Sequence, residues 1–548
     1  MTEKLHWLLI FIMISAAPIS IADDDADRDA LRHELEHLAD TGMISTGEVG
    51  IAGKNLLVEI YGRRDYLPIW NDQRQIHELI AVIRATEDDG LDPSDYHLEQ
   101  IEYAYNELLA GRLTGATEWA TQDLILTDSL IRLGYHQLFG KVNPYTLDPN
   151  WNFRREMNDV DPATAIQDAI DSPSLAEHLK TLFPRGWVYE EFKTGLARYR
   201  EISASGGWPI IPDGPTLRPG ATDDRLPILA RRLAITGDLE NRESFDDLTV
   251  YDEFLLEGVK SFQARHGIDV DGIIGPASLR MLNVPAEMRV KTLEINLERA
   301  RWVLDDIEDD FILVNIAGFE AYIVQDKEVV WQTKVQVGSQ FHQSPVFRDE
   351  MKYLVLNPTW TVPYSIATKE MLPQIKSDPD YFAKRDFDLK DRNGKFIDPN
   401  SVDWSQVSAR NFGYWLVQRP GPGNALGRVK FMFPNDHAVY LHDTPSKYLF
   451  SRAERAFSHG CIRVENPFDF AEQLLGKDGW TQEKFQEILD GGKTQTVMLS
   501  KPLPVLLLYW TAVARRDGTV VFYNDVYERD NAISDALDEP FMLDIPGR

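Results

Sequence analysis

A single cysteine, Cys461, occurs in a chain of 548 residues. One thiol excludes an internal disulfide and any thiolate-rich metal site. Basic residues are also scarce: 57 Lys and Arg stand against 87 Asp and Glu, a formal net charge of −30. That balance excludes nucleic acid and anionic membrane surfaces as partners, because both need a basic footprint. The acid is spread along the chain rather than gathered in a tail, so it reads as solubility. After residue 22 no apolar run approaches the ~20 residues of a spanning helix, so attachment beyond the N-terminus is peripheral to a membrane at most. The 12 histidines show no metal-ligand spacing and no His-Glu-x-x-His element, so neither a metal nor another cofactor is expected.

The composition that remains, 43% hydrophobic and 26% charged, suits a globular chain with sizeable cores. Its length predicts roughly three to four domains. Lys4, the apolar run Trp7 to Ile14 and Ser20-Ile21-Ala22 before Asp23-Asp24-Asp25 have the order of a secretory signal peptide over 1–22. The alternative is a retained N-terminal anchor. Either places the protein in the periplasm, an oxidising compartment where cysteines used for stability come in pairs. An unpaired thiol there points to chemistry.

Residues 28–205 carry a helical pattern, with Asp92-Pro93-Ser94-Asp95 as a helix start. Gly206 to Pro215 is turn-rich and reads as a linker. Over 222–285 the sequence predicts three helices: Leu226 to Leu233, Val250 to Arg265 with Phe254, Leu255, Val259 and Phe262 on one face, and a third opened by Gly275-Pro276. After residue 309 the period becomes two. Strands are expected at Phe311–Ile316, Ala321–Val324, Val329–Val337, Tyr353–Leu356, Tyr414–Gln418, Val429–Phe433 and Ala438–Leu441. The polar stretch 365–410 reads as an insertion, a lid over a site. A last strand pair, Val505–Val513 with Thr519–Tyr523, turns at Gly518 in a C-terminal segment 501–548.

Catalysis by cysteine needs a base to make the thiolate and donors for the oxyanion. His442 is expected at a strand end, and Cys461 follows nineteen positions later in Ser458-His459-Gly460-Cys461-Ile462-Arg463. Gly460 lets the turn aim backbone amides at one oxygen, and a helix opening near Pro467 would lower the thiol pKa. His459 adjoins Cys461, but neighbours on an extended chain point to opposite sides, which favours His442 as the base.

His442 followed by Ser458-His459-Gly460-Cys461-Ile462-Arg463 resembles the signature of the L,D-transpeptidases. Phe262-Gln263 with Asp271 to Pro276 resembles the three-helix peptidoglycan-binding module, and Asp89 to Tyr96 resembles the large multidomain exported members. The implied fold is a multidomain α + β chain: a helical N-terminal scaffold, a small three-helix binding module, and a mostly-β catalytic domain over 310–500 with an inserted lid. The resemblance makes Cys461 the nucleophile and His442 the general base and acid, oriented by a main-chain carbonyl of Asp443. The amides of His459, Gly460 and Cys461 would form the oxyanion hole. Arg463 would bind a substrate carboxylate or brace the loop, while Tyr440 and Trp360, in Asn357 to Pro363, would line the substrate groove.

The implied function is peptidoglycan 3→3 crosslinking through a Cys thioester, which carbapenems would trap. Stem peptides are the expected substrates and other cell-wall synthases the expected partners. The same thioester given to water makes an L,D-carboxypeptidase, and given to a lipoprotein lysine makes an attachment enzyme. A non-catalytic wall-binding scaffold is the reading of another class; it leaves Cys461 and His442 unexplained.

Overall fold

The computed structural model of the protein describes residues 24–45, 49–148, 151–153, 160–182, 186–304 and 307–541. The expected signal at 1–22 lies outside them. Among the described residues no helix is long and apolar enough to cross a membrane.

The N-terminal region is helical, as its pattern predicts, and packs around Ala116–Phe139, whose residues are buried on most sides. The Asp92-Pro93 start opens only one 3-10 turn, Pro93–Tyr96, with the Asp92 carboxylate accepting from Ser94 N at 2.9 Å. What this segment does is docking. Asp89 O accepts from Arg301 at 2.7 Å, and Gly90 (φ +71) abuts Glu294 and Leu297. Asp95 pairs with Lys141 at 2.8 Å. The scaffold is thereby fastened to helix Ala286–Val303, which leads into the first strand.

The next unit contains helices Leu226–Ile235, Glu253–Arg265 and Pro276–Leu282 around Leu229, Leu255, Val259 and Phe262. Gln263 is buried and ties its loop together, donating to Asp271 Oδ1 at 3.0 Å and accepting from Gly272 N at 2.8 Å. The unit touches the sheet domain through Arg265, which donates to Val520 O at 2.6 Å, and Asp269, which accepts from Ala453 N at 3.2 Å.

The sheet domain contains β1 (Phe311–Asn315), β2 (Glu320–Gln325), β3 (Glu328–Gly338), β4 (Phe347–Leu356), β5 (Trp360–Thr361), β6 (Phe387–Asp391), β7 (Phe396–Ile397), β8 (Tyr414–Gln418), β9 (Val429–Met432), β10 (Leu441–His442), β11 (Ala456–Ser458), β12 (Ile462–Val464), β13 (Gln495–Leu508), β14 (Ala512–Ala514) and β15 (Val520–Phe522). The main sheet runs β11-β3-β12-β10-β9-β4-β13-β1-β2, and β2 pairs back onto β3. Eight strands therefore close into a ring, which leaves few free edges.

Three expectations are corrected here. The strand expected at 438–441 shrinks to β10, because the Asn435 side chain occupies both backbone groups of Val439, at 3.2 and 2.8 Å, and Ala438 adopts φ +54. β8 joins the insertion, not the main sheet: β5-β8-β6-β7 form a separate four-stranded sheet. The insertion expected at 365–410 is part of a unit with its own core of Val362, Leu372, Ile375, Phe387, Leu389 and Leu416. Finally, Val505–Leu508 belong to β13, parallel to β1 and antiparallel to β4, so the main sheet runs through the expected boundary at 500. The terminal pair is only β14 with β15.

Candidate active site

Register assembles the site. His442 on β10 pairs with Arg463 on β12 and with Lys430 on β9; Arg463 pairs in turn with Gln336 on β3. The neighbouring row, Leu354, Phe431, Leu441 and Ile462, is fully buried in the core. Since side chains alternate along strands, Tyr440, His442, Cys461 and Arg463 share the opposite face. The parallel β10–β12 pair thus converts nineteen positions of sequence into neighbours; Ile462 N donates to Tyr440 O at 3.0 Å.

His442 is buried, and its Nδ1 lies 2.5 Å from Asp443 O, which leaves Nε2 as the nitrogen able to take a proton. Burial, then the nearby Arg463 and Lys430 cations, pull its pKa down to about 3. Cys461 is half-buried; its Sγ lies 3.8 Å from Ala438 O and accepts from the Tyr440 hydroxyl. No hydrogen bond joins Sγ to the imidazole among the described residues.

The expected lowering of the thiol pKa is overturned. Burial pushes it above its ordinary 9.0, although Tyr440, Lys430 and Arg463 partly oppose this. The helix that was to lower it, Pro467–Leu475, begins only after β12, so its N-terminus is not at the thiol. The resting pair is thiol and neutral imidazole. Its alkylation by iodoacetamide should keep accelerating past pH 9; a flat rate between about pH 6 and pH 8 would instead reveal a thiolate–imidazolium pair.

The turn before Cys461 is laced by Ser458, whose Oγ donates to Cys461 O at 2.6 Å and accepts from Gly460 N at 3.0 Å. The Gly460 amide is therefore engaged, contrary to its expected place in the oxyanion hole. Among the described residues the amides of His459 and Cys461 have no such partner. Gly460 takes φ +112, and its carbonyl accepts from Ser344 Oγ at 2.7 Å. Tyr527 braces that loop from behind, donating to Gly338 O at 2.6 Å. Neither Ser344 nor Tyr527 carries any motif that would have marked it in the sequence.

His459 points away to the insertion, where its Nε2 meets Glu370 Oε1 at 2.7 Å. Arg463 donates to Gln336 Oε1 at 3.2 Å, and its buried Nε has no partner. The Trp360 ring packs towards Phe387 against the insertion core, 6.2 Å between centroids. Asn357 is also structural, donating to Ile488 O at 3.0 Å from a buried position. Lys430, absent from the sequence reading, stands with its Nζ 3.8 Å from the Tyr440 ring centroid. Among the described residues no group of three His, Cys, Asp or Glu could hold a metal.

Comparison with known proteins follows the same divisions. Residues 309–499 match the L,D-transpeptidase catalytic domain, 223–282 a putative peptidoglycan binding domain, and 55–196 a scaffold domain. A putative L,D-transpeptidase of Haemophilus influenzae is 34% identical over 242 residues, 44% of this chain and 48% of that protein. The chain thus spans about half the length of that curated relative. An epoxide hydrolase 1 of Sus scrofa is 29% identical over 117 residues, 20% of this chain and 25% of that protein. Among solved structures, an L,D-transpeptidase from Mycobacterium smegmatis aligns at 12% identity and a TM-score of 0.16, covering 36% of this chain and 58% of that one. The residues that register gathers, Cys461 and His442 above all, lie within the matched 309–499. Residues 309–499 thus carry an L,D-transpeptidase catalytic domain, with a putative peptidoglycan-binding domain at 223–282 before it.

Proposed function

We propose that the protein is a periplasmic enzyme that forms 3→3 crosslinks between meso-diaminopimelate residues of peptidoglycan. The observation that supports this most is the single sheet face carrying Cys461, His442, Tyr440 and Arg463, within a domain of matching family. The Cys461 sulfur attacks the carbonyl carbon of the third stem residue as His442 Nε2 takes the thiol proton. The carbonyl oxygen becomes an oxyanion facing the amides of His459 and Cys461. Its collapse breaks the amide bond, and the imidazolium gives its proton to the departing D-alanine amine. A thioester remains on Cys461. The side-chain amine of diaminopimelate on a second stem attacks it, loses a proton to His442, and forms the new amide as sulfur leaves and is reprotonated.

In this reading the module at 222–285 holds the substrate's glycan, the scaffold at 28–205 positions both units, and the insertion is the lid, in contact with the catalytic loop through Glu370 and His459. The test is incubation of the purified protein with disaccharide-tetrapeptide and mass analysis of products. Crosslinked dimer with loss of D-alanine is expected, together with a covalent mass shift by a carbapenem, and both should vanish in Cys461→Ala. Tripeptide alone would show that water is the acceptor, and no product with no mass shift would leave a wall-binding scaffold.

A further inference from the structure

The strand row that holds His442 carries a cation on each side. Lys430 pairs with His442 from β9 and Arg463 pairs with it from β12. Adjacent strands lie ~4.8 Å apart, so the two cations stand about 10 Å apart with the imidazole between them. Both are half-buried. Among the described residues no carboxylate pairs with either, and no acceptor takes a hydrogen bond from the Lys430 ammonium. Lys430 rests on the Tyr440 ring, and Arg463 spends one N–H on Gln336 while its Nε has no partner.

Leaving a partly desolvated cation unpaired is costly, and in a chain with 87 acidic residues it is avoidable. Buried arginines elsewhere are satisfied either by acids, as Arg265 by Asp238, Arg301 by Glu298 and Arg299 by Asp530, or by carbonyls, as Arg232 by Leu282 O and Arg455 by Val335 O and Phe319 O. The acid nearest in sequence to His442 is turned away. Asp443 accepts from Arg428 N at 2.8 Å and Thr444 N at 2.7 Å, and pairs with Lys447 at 2.7 Å. The two cations beside His442 are thus kept available for an anion that arrives from outside.

We propose that Lys430 is a specificity residue of the acyl-donor site, clamping with Arg463 a donor that carries two carboxylates. This rests on the crosslinking reading and sharpens its substrate. A tetrapeptide donor has one carboxylate on the D-alanine beside the scissile bond and another at the far centre of the diaminopimelate side chain. Arg463 lies two residues along the strand from Cys461, about 6.6 Å, which suits the carboxylate beside the scissile bond. Lys430 is two strands away and takes the side-chain carboxylate. The substrate class is therefore a stem whose diaminopimelate carboxylate is free rather than amidated. An anion between the cations would also offset the part of the depressed His442 basicity that Arg463 and Lys430 cause, burial causing the larger part.

The experiment compares turnover of two tetrapeptide donors, free and amidated at the diaminopimelate side-chain carboxylate, by the full chain, Lys430→Gln and Lys430→Arg. The unaltered protein should prefer the free donor by at least about tenfold in kcat/KM, the scale of one charged hydrogen bond. Lys430→Gln should bring that preference close to unity through a higher KM for the free donor, and Lys430→Arg should keep it. Turnover with the preference unchanged in Lys430→Gln, or an equal loss of kcat on both donors, overturns the assignment of Lys430 alone. No turnover of either donor by the unaltered protein overturns the crosslinking reading and this proposal with it.

Discussion

His442→Ala is expected to lower kcat/KM by about 10²–10⁴-fold, the range of a general base acting on a reluctant nucleophile. The upper end is the expected one, because the Cys461 thiol is pushed up by burial and supplies little thiolate without help. Formation of the acyl-enzyme with a carbapenem, followed by mass, should slow by the same order, since it needs the same proton transfer. Stability should change in a defined direction with pH. The folded-state pKa of His442, about 3, lies below its ordinary 6.5, so the native protein binds fewer protons there than the unfolded chain. The contribution is complete above pH 6.5 and is lost as pH falls towards about 3. A variant that cannot titrate, His442→Gln, should show a shallower acid unfolding curve across that window. A variant with unchanged acid sensitivity and full activity would remove His442 from the site.

The juxtaposition of His442 and Cys461 was legible in the sequence because its signal is local: a histidine at a strand end, a glycine before a lone cysteine, and fixed spacing between them. The parallel pairing of β10 and β12 then does what the spacing implied. Lys430 was not legible, since its place beside His442 depends on antiparallel pairing between β9 and β10, and nothing local marks it. The same limit explains β8. Alternation in Tyr414–Gln418 announces a strand but does not say which sheet receives it, and the insertion's own core does. β13 was misassigned because Leu506, Leu507 and Leu508 are all buried in a strand flanked by β1 and β4, so no alternation remains to mark its partners. Trp360 suggested a groove wall by position, but an aromatic at the root of a cored insertion has a closer use, packing towards Phe387.

Gly427→Ala is expected to inactivate the enzyme although residue 427 carries no chemistry. Gly427 sits at φ +62, a conformation that costs an alanine about 1 kcal/mol. A Cβ there would also overlap the Asp443 carboxylate. That carboxylate is held by the amides of Arg428 and Thr444, which fix the backbone whose carbonyl orients His442 Nδ1. Relief of the clash must therefore move Asp443, and with it the imidazole. Overpacking of this kind costs about 1–3 kcal/mol, so the fold should survive at a lower Tm. Activity should suffer more, because a displacement near 1 Å in a catalytic group can cost about 10²-fold. Asp443→Ala in the same background separates the two effects. It removes the overlapping carboxylate, so the double variant should recover more stability than the sum of the single changes allows, while activity stays low because the amides that held the loop have lost their acceptor. Strict additivity of the two stability losses would show that Gly427 and Asp443 do not meet, and the route from this glycine to His442 would be lost.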